Sequence, residues 1–545
     1  MFCGSVSALL YPSALPSKRQ TLLLLFCIFA VAAALRFAAL GSIPNGVWLD
    51  EALKGIEGIE SVRTGHFQIF YPANNGREGL WIAVIGYSES IFGVNQFGLR
   101  FASALVGTLT VLFVFLLARE FYSHRVALLA AWFTATGFWH VLFSRLAFRG
   151  ILVPLLLTAA IYFLVRAEKK LGEPDSRRAA PWLLAVVGGI FFGLGFHSYI
   201  AFRVTPLLIA IIFFIEVMHR RKLNLLVKPW LKLFAAWLLV AIVVALPIGI
   251  YFLHHPQDFE GRAKEVSIFT DPHPERVEVK VLLRTLGMFN FHGDKNWRHN
   301  YGGRPQLLAP VGIFFLVGVW IAAVRARRAG WRAREEWLLL AWFAVLLIPE
   351  LLSAEGTPHA LRAIGVIPPV HIFAALGADF LWSLVQRRRA LSFAMLAFVI
   401  SIGAYDAWKY FHDYARHGVL TGNQSFNQLQ ASEGALLNSL LAKTPAIVVY
   451  ENAPNHEDAK LESFGRIDYK LPMDAEPLVF ATYDRPITLV SLQEQIKKLD
   501  SGDRIPSGTV VIPLEGRQQT LDKLRQHGAA LDVRRSGSVI YATTR

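Results

Sequence analysis

Runs of roughly 16–20 nearly uncharged residues recur along this 545-residue chain from Thr21 to about Tyr405. Each approaches the ~30 Å hydrocarbon core of a bilayer, which takes about 17–25 apolar residues in helical form. After about Asp406 the hydropathy falls and shorter α/β patterning begins. The expected fold class is a polytopic α-helical membrane domain, residues 1–420, followed by a small α/β soluble domain, residues 421–545. Overall composition says less: 54% apolar with a mean hydropathy of +0.41, against about 45–50% apolar for ordinary soluble domains. The distribution decides.

Eleven spans are expected, near 21–40, 101–118, 126–143, 150–166, 181–199, 204–219, 233–252, 307–324, 337–352, 363–383 and 391–405. The run 80–92 is short and contains Ser88, Glu89 and Ser90, so it is expected to lie along the interface as an amphipathic helix. The formal charge of +15 would suit nucleic acid, but the Lys and Arg gather in short interhelical loops, the topology signal of membrane proteins. With a cytoplasmic N-terminus the inner loops are 119–125, 166–178, 220–232, 325–334 and 387–389, and all are basic. The rival topology lets 80–92 cross and turns loop 41–77 inward; Lys18-Arg19 ahead of the first run argues against it. That first run continues past Arg36 and is expected to be retained rather than cleaved. Cys3 and Cys27 provide neither a disulfide framework nor a thiolate metal site.

In this topology the unusual polar stretches all emerge on the outer face. The first is Asn45-Gly46-Val47-Trp48-Leu49-Asp50-Glu51, a loop with a tryptophan and two acids directly after the first span. Arg145 and Arg149 follow in the 144–149 corner, then His197, Tyr199 and Arg203. The long loop 254–305 holds Asp294, Arg298 and Tyr301, and the late loop 353–362 holds His359 and Arg362. The tail reads as a helix over 424–443, strands over 446–450, 478–482, 509–513 and 539–543, and helices over 491–499 and 518–527. It has no Gly-rich phosphate loop, nucleophile elbow or metal spacing, so acceptor docking or a structural cap is expected of it.

These features resemble the GT-C superfamily of glycosyltransferases. They are most similar to the bacterial branch related to protein O-mannosyltransferases and lipid A aminoarabinose transferases (glycosyltransferase family 39-like). The resemblance rests on Asp50-Glu51 in the first outer loop, Asn74-Asn75-Gly76-Arg77-Glu78-Gly79-Leu80, the 144–149 corner and Gly356-Thr357-Pro358-His359-Ala360-Leu361-Arg362. It covers roughly residues 20–405, and it departs at Gly79, where the branch commonly has proline. The resemblance implies a membrane enzyme that moves a sugar from a polyprenyl-phosphate carrier to an extracytoplasmic protein, lipid or glycan, inverting the anomeric carbon in one in-line displacement. No nucleic acid partner is expected.

By the same resemblance Asp50 is the base for the acceptor hydroxyl; the plain alternative is the N-cap of a following helix. Glu51 orients the acceptor, holds a divalent cation (Mg²⁺ or Mn²⁺) with Asp50, or simply favours a helix N-terminus. Arg362 and Arg149, then Arg145 and Arg203, are expected at the leaving phosphate, since guanidinium binds phosphate bidentately; each is otherwise an arginine snorkelling to headgroups. His359 is a further phosphate ligand or a loop histidine. Trp48, Arg77, Glu78, His197, Tyr199, Asp294, Arg298 and Tyr301 are expected to shape the substrate pocket, with Arg77 and Glu78 pairing to each other. The competing classes are a transporter or flippase, which would place ionisable groups in mid-membrane and show internal repeats, a non-catalytic assembly subunit, and an oligosaccharyl- or phosphotransferase on the same carrier.

Overall fold

The computed structural model describes residues 18–72, 76–173, 179–265, 274–353, 356–417, 426–440, 445–451, 475–483 and 487–545. They form two compact units: residues up to 38 with 103–414, and 39–102 with 415–545. Asn74 and Asn75 lie outside the described residues.

The chain is a multi-pass membrane protein. Among the described residues eight helices are long and apolar enough to cross a bilayer, including Gln96–Phe121, Val227–His254 and Ile364–Val385. Three further expected spans take other forms. The 126–143 run breaks at Gly137 into His124–Thr136 and Phe138–Phe143. The 181–199 run becomes the 16-residue helix Ala180–Gly195. The 337–352 run becomes Arg334–Leu351, with Glu335 and Glu336 in its first turn. The 254–305 segment contains two helices of its own, Pro256–Glu265 and Pro274–Gly287.

The break at Gly137 explains a charge that the hydropathy reading passed over. The fully buried Arg36 guanidinium donates to the carbonyls of Ala135 and Thr134 at 2.9 and 3.1 Å, and to Ser144 Oγ at 3.2 Å. Carbonyls at a helix end lack intrahelical donors, and the arginine supplies them. The apolar spans are therefore less free of charge than their hydropathy suggests, and here the charge serves the backbone.

In the other unit, strands β1 (Phe70–Tyr71) and β2 (Arg77–Glu78) pair antiparallel between the helices Leu49–Thr64 and Gly79–Phe92. The second helix has 14 residues, about 21 Å at 1.5 Å per residue, too short for a ~30 Å core. It buries Ser88 and Glu89 along with Trp81, Ile82 and Ile85, while Tyr87 and Ile91 are exposed. The two helices cross at glycines, where a Cβ on Gly86 would lie 2.0 Å from the Gly58 carbonyl oxygen.

The tail forms a five-stranded mixed sheet in the order β4-β3-β5-β7-β6. Here β3 is Ala446–Tyr450, β4 Ile487–Ser491, β5 Val510–Pro513, β6 Leu531–Ser536 and β7 Val539–Thr544. Strand β3 is parallel to β4 and β5, and β7 is antiparallel to β5 and β6. Val448, Val449, Val511 and Ile512 are fully buried, the continuous apolar pattern of interior strands covered on both faces. The strand expected over 478–482 is instead the helix Glu476–Ala481, because Pro477 pre-sets a helical φ in the first turn. The edge strands β4 and β6 escaped the sequence reading; β6, Leu-Asp-Val-Arg-Arg-Ser, is mostly polar.

Candidate functional site

The loop after the first span is built around Glu51. Its backbone enters the helix Leu49–Thr64 just after Trp48, the N-cap residue, and its carboxylate accepts the Trp48 amide at 3.3 Å. Both carboxylate oxygens also accept from Arg100, at 3.2 and 3.1 Å, and both side chains are fully buried. Arg100 spends its remaining donors on the Pro44 and Gly46 carbonyls, each at 2.7 Å. One arginine thus fixes the loop and the helix start together. Asp50 stands beside this lock, half-buried in the first helical turn, where the positive end of the helix favours an anionic carboxylate. It is not the N-cap.

Arg77 is buried and binds Glu57 through both terminal nitrogens, at 2.5 and 2.8 Å. Burial pushes the Glu57 carboxyl up, and the facing guanidinium pulls it back. Glu78 is buried at the N-cap of Gly79–Phe92. The departure at Gly79 now has a reason: its amide donates to the Ile69 carbonyl at 2.8 Å, and a Cβ would lie 1.8 Å from the Gln68 oxygen. Proline supplies no such donor.

The tail supports this loop from within the same unit. Asn427 Nδ2 donates to the Val47 carbonyl and Gln428 Nε2 to the Asn45 carbonyl, each at 3.2 Å. The Phe480 ring lies so near the helix that a Cβ on Gly55 would be 2.5 Å from it. Arg63 sits 4.5 Å over the Tyr483 ring.

The second group belongs to the other unit. Asp294 is buried; its carboxylate accepts the Asn296 and Ala360 amides, both at 2.8 Å, and faces His299 Nδ1 at 3.2 Å. His299 and His359 have ring centroids 4.5 Å apart. The His359 amide donates to Glu350 Oε1 at 2.9 Å, and the buried Arg362 is an electrostatic neighbour of Glu350. The late loop and the 144–149 corner also meet: a Cβ on Gly150 would lie 2.7 Å from Leu361. Arg149 and Arg362 each stand one residue from that contact. Arg149 lies 5.6 Å from the centre of the Tyr199 ring. Asp294, His299 and His359 offer ligand atoms that all fall within 4.8 Å of one another.

Other expected site residues have structural partners. Arg145 is fully buried and donates to the carbonyls of Leu35, Arg36 and Ala38 at 2.7–2.9 Å, closing the end of the first span. Arg203 donates to the Phe259 carbonyl at 2.7 Å between the Phe252 and Phe259 rings. His197 Nε2 donates to the Val244 carbonyl at 2.9 Å. Arg298 Nε reaches Asn296 Oδ1 at 3.3 Å. Tyr301 is buried near Asp413, and burial followed by that hydrogen bond pushes its hydroxyl up to about 12. Sequence reasoning missed Arg100, Glu57, Glu350 and the role of His299. Glu350, an acid at the end of an apolar run, was the legible one, since ionisable groups in such runs are costly unless used.

Residues 79–251 match the family described as dolichyl-phosphate-mannose-protein mannosyltransferase. An undecaprenyl phosphate-alpha-4-amino-4-deoxy-L-arabinose arabinosyl transferase of Pseudomonas fluorescens is 38% identical over 113 residues, 20% of this chain and 19% of that protein. An uncharacterized protein of Aquifex aeolicus is 32% identical over 127 residues, 22% of this chain and 25% of its own. The matched stretch thus spans a quarter or less of these relatives' length. ArnT from Cupriavidus metallidurans, solved with undecaprenyl phosphate, superposes with a TM-score of 0.56 at 14% identity, covering 95% of this chain and 97% of ArnT. The archaeal oligosaccharyltransferase AglB from Archaeoglobus fulgidus, solved with an inhibitory peptide and a dolichol-phosphate, gives 0.50 at 14% identity, covering 97% and 74%. The chain shares the fold of these two solved structures.

Proposed function

We propose that this GT-C chain is a glycosyltransferase that moves a sugar from a polyprenyl-phosphate carrier to a hydroxyl-bearing acceptor outside the cytoplasm. The observation that carries the reading is the half-buried Asp50 held at a helix start that Glu51 and Arg100 lock from behind. A base needs a carboxylate held in place at a partly exposed position. In the proposed step an Asp50 carboxylate oxygen takes the acceptor's proton while the acceptor oxygen attacks the anomeric carbon. The bond from that carbon to the phosphate oxygen breaks on the opposite face, the polyprenyl phosphate leaves, and the configuration inverts. Positioned base catalysis contributes typically about 10²–10⁴-fold.

Arg149 and Arg362 take the charge building on the departing phosphate. Glu51 and Arg145 are positioning residues, since both are engaged with their own supports. Arg100 already binds both Glu51 carboxylate oxygens, so we assign Glu51 to that pair rather than to a cation. Topologically, we infer a cytoplasmic N-terminus with the Asp50 loop and the tail outside, from the basic inner loops.

The test is Asp50→Asn in purified full-length protein given a panel of polyprenyl-phosphate sugars. Transfer is expected to fall by about 10²-fold or more with unchanged expression and thermal stability. Full transfer by the folded variant refutes the assignment. Transport of the lipid-linked sugar without consumption would favour a flippase instead.

A further inference from the structure

We infer that Gln430, Glu433 and Glu515 form a calcium site at the carboxyl end of the tail's parallel strands, where the ion pins the helix Gln428–Leu440 to the sheet. Gln430 and Glu433 stand three residues apart, so they share one face of that helix. The face lies against the turn that follows β5. Gln430 Nε2 donates to the Leu514 carbonyl at 3.4 Å, Glu515 is the electrostatic neighbour of Glu433, and a Cβ on Gly516 would be 2.8 Å from Leu429. Strand β3 has parallel neighbours on both sides, and the chain passes from β3 to β4 on one side and then to β5 on the other. In open α/β sheets such a switch point takes ligands beyond the carboxyl ends of the strands.

The oxygens gathered there lack donors. Gln430 and Glu433 are more than nine-tenths buried. Gln430 Oε1, both Glu433 oxygens and Glu515 Oε2 are buried and accept no hydrogen bond among the described residues. The Gln430 oxygen is the independent sign: it belongs to a neutral amide, yet it carries the same cost of an unmet buried acceptor. The nearby cations are committed elsewhere. Arg517 and Lys523 lie 3.5 and 3.6 Å from Glu451, to which Thr520 Oγ1 also donates at 2.6 Å. Glu515 spends its other oxygen on the Glu451 amide at 3.0 Å.

The donor set selects the ion. Two carboxylates and an amide oxygen make an all-oxygen shell, whereas zinc favours nitrogen and sulfur. Magnesium demands a near-ideal octahedron and keeps several waters; calcium takes carboxylates through one or both oxygens, together with carbonyl oxygens, in a flexible shell. The half-buried Glu515 marks the side from which the ion and its remaining waters enter. Without the ion, a proton holds the Glu433 carboxyl neutral. The same helix opens with Gln428, whose Nε2 holds the Asn45 carbonyl, directly after Asn427 on the Val47 carbonyl. Fixing the helix to the sheet therefore steadies the brace on the loop that carries Asp50.

Binding here is independent of the proposed reaction. Full-length protein in phosphatidylcholine nanodiscs is stripped with a chelator, dialysed and titrated with radiolabelled Ca²⁺. Wild-type protein and the Asp50→Asn variant are expected to bind about one more Ca²⁺ per chain than Glu433→Gln or Glu515→Gln, with a Kd of about 10⁻⁴–10⁻³ M. Calcium at about 5 mM is expected to raise the melting temperature of the wild type by about 2–4 °C and to leave both glutamine variants unmoved. Magnesium at the same concentration is expected to raise it less. Both substitutions keep the side-chain shape, and Glu433→Gln is expected to melt no lower than wild type in chelator, which separates lost binding from misfolding. Equal calcium uptake by wild type and Glu433→Gln overturns the proposal. So does a carboxylic-acid infrared band that persists in saturating calcium and disappears in Glu433→Gln, since it places a proton where the ion is proposed.

Discussion

Asp50 and Glu51 are adjacent in sequence but do different work. Glu51 is buried against Arg100, and removing one partner of a buried pair leaves an uncompensated charge, typically about 3–5 kcal/mol. Glu51→Gln and Arg100→Met are each expected to lower the thermal stability of the full-length protein, and the double variant to lose less than the two together. A double-mutant cycle that is merely additive would mean the pair does not hold the loop. Gly79→Ala is expected to destabilise as well, because the Gln68 carbonyl occupies the place of a Cβ; a denaturation midpoint equal to wild type would refute that close approach. The acid pair was visible in the sequence because two acids and a tryptophan have no ordinary reason to follow a membrane span. Its partner was hidden, since Arg100 sits where an apolar run begins and reads as a headgroup anchor. His359 and Arg362 were visible as members of a polar loop, but their link to Asp294 joins positions over 60 residues apart, and spacing carries no such information.

At the scale of elements, hydropathy foretold most helices because burial in lipid demands length and apolarity together. It failed where a helix stops for a local reason. The extended backbone at Gly137 breaks an apolar run, and the compensation comes from Arg36, 98 and 99 positions upstream of the carbonyls it binds. In the tail, alternation found β3, β5 and β7 because they are interior or half-covered, and missed β6 because its side chains face water. The helix Gln428–Leu440 carries a testable charge. Glu433 is fully buried, and burial, with Glu515 nearby, pushes its carboxyl up to about 9. With the folded value above the ordinary one near 4.5, the folded state holds an extra proton between those limits. Its contribution is therefore complete below about pH 4.5 and is lost as pH rises toward 9. Glu433→Gln is expected to stabilise the protein by about 1–3 kcal/mol at pH 8 and by much less at pH 5. Equal melting-temperature gains at both values would rule this out.

For the whole molecule, the division into units does not follow the division into spans and tail. Residues 39–102 share a compact unit with 415–545, so the tail is a structural partner of the loop after the first span. Phe480→Ala opens space beside Gly55, and loss of a buried phenylalanine typically costs about 3–5 kcal/mol. The expected result is looser protection of Leu49–Thr64 in hydrogen exchange and a fall in sugar transfer, with the sheet β3–β7 intact. Unchanged protection of that helix would show that the tail does not brace it.

The Phe480 contact also sets a timetable. Gly55 leaves the ribosome about 425 positions before Phe480, an interval of some tens of seconds at about 5–20 residues per second. Throughout that wait the flank of Leu49–Thr64 around Gly55 is bare. A chain released before residue 480 would present its acidic loop without the Phe480 contact beside Gly55.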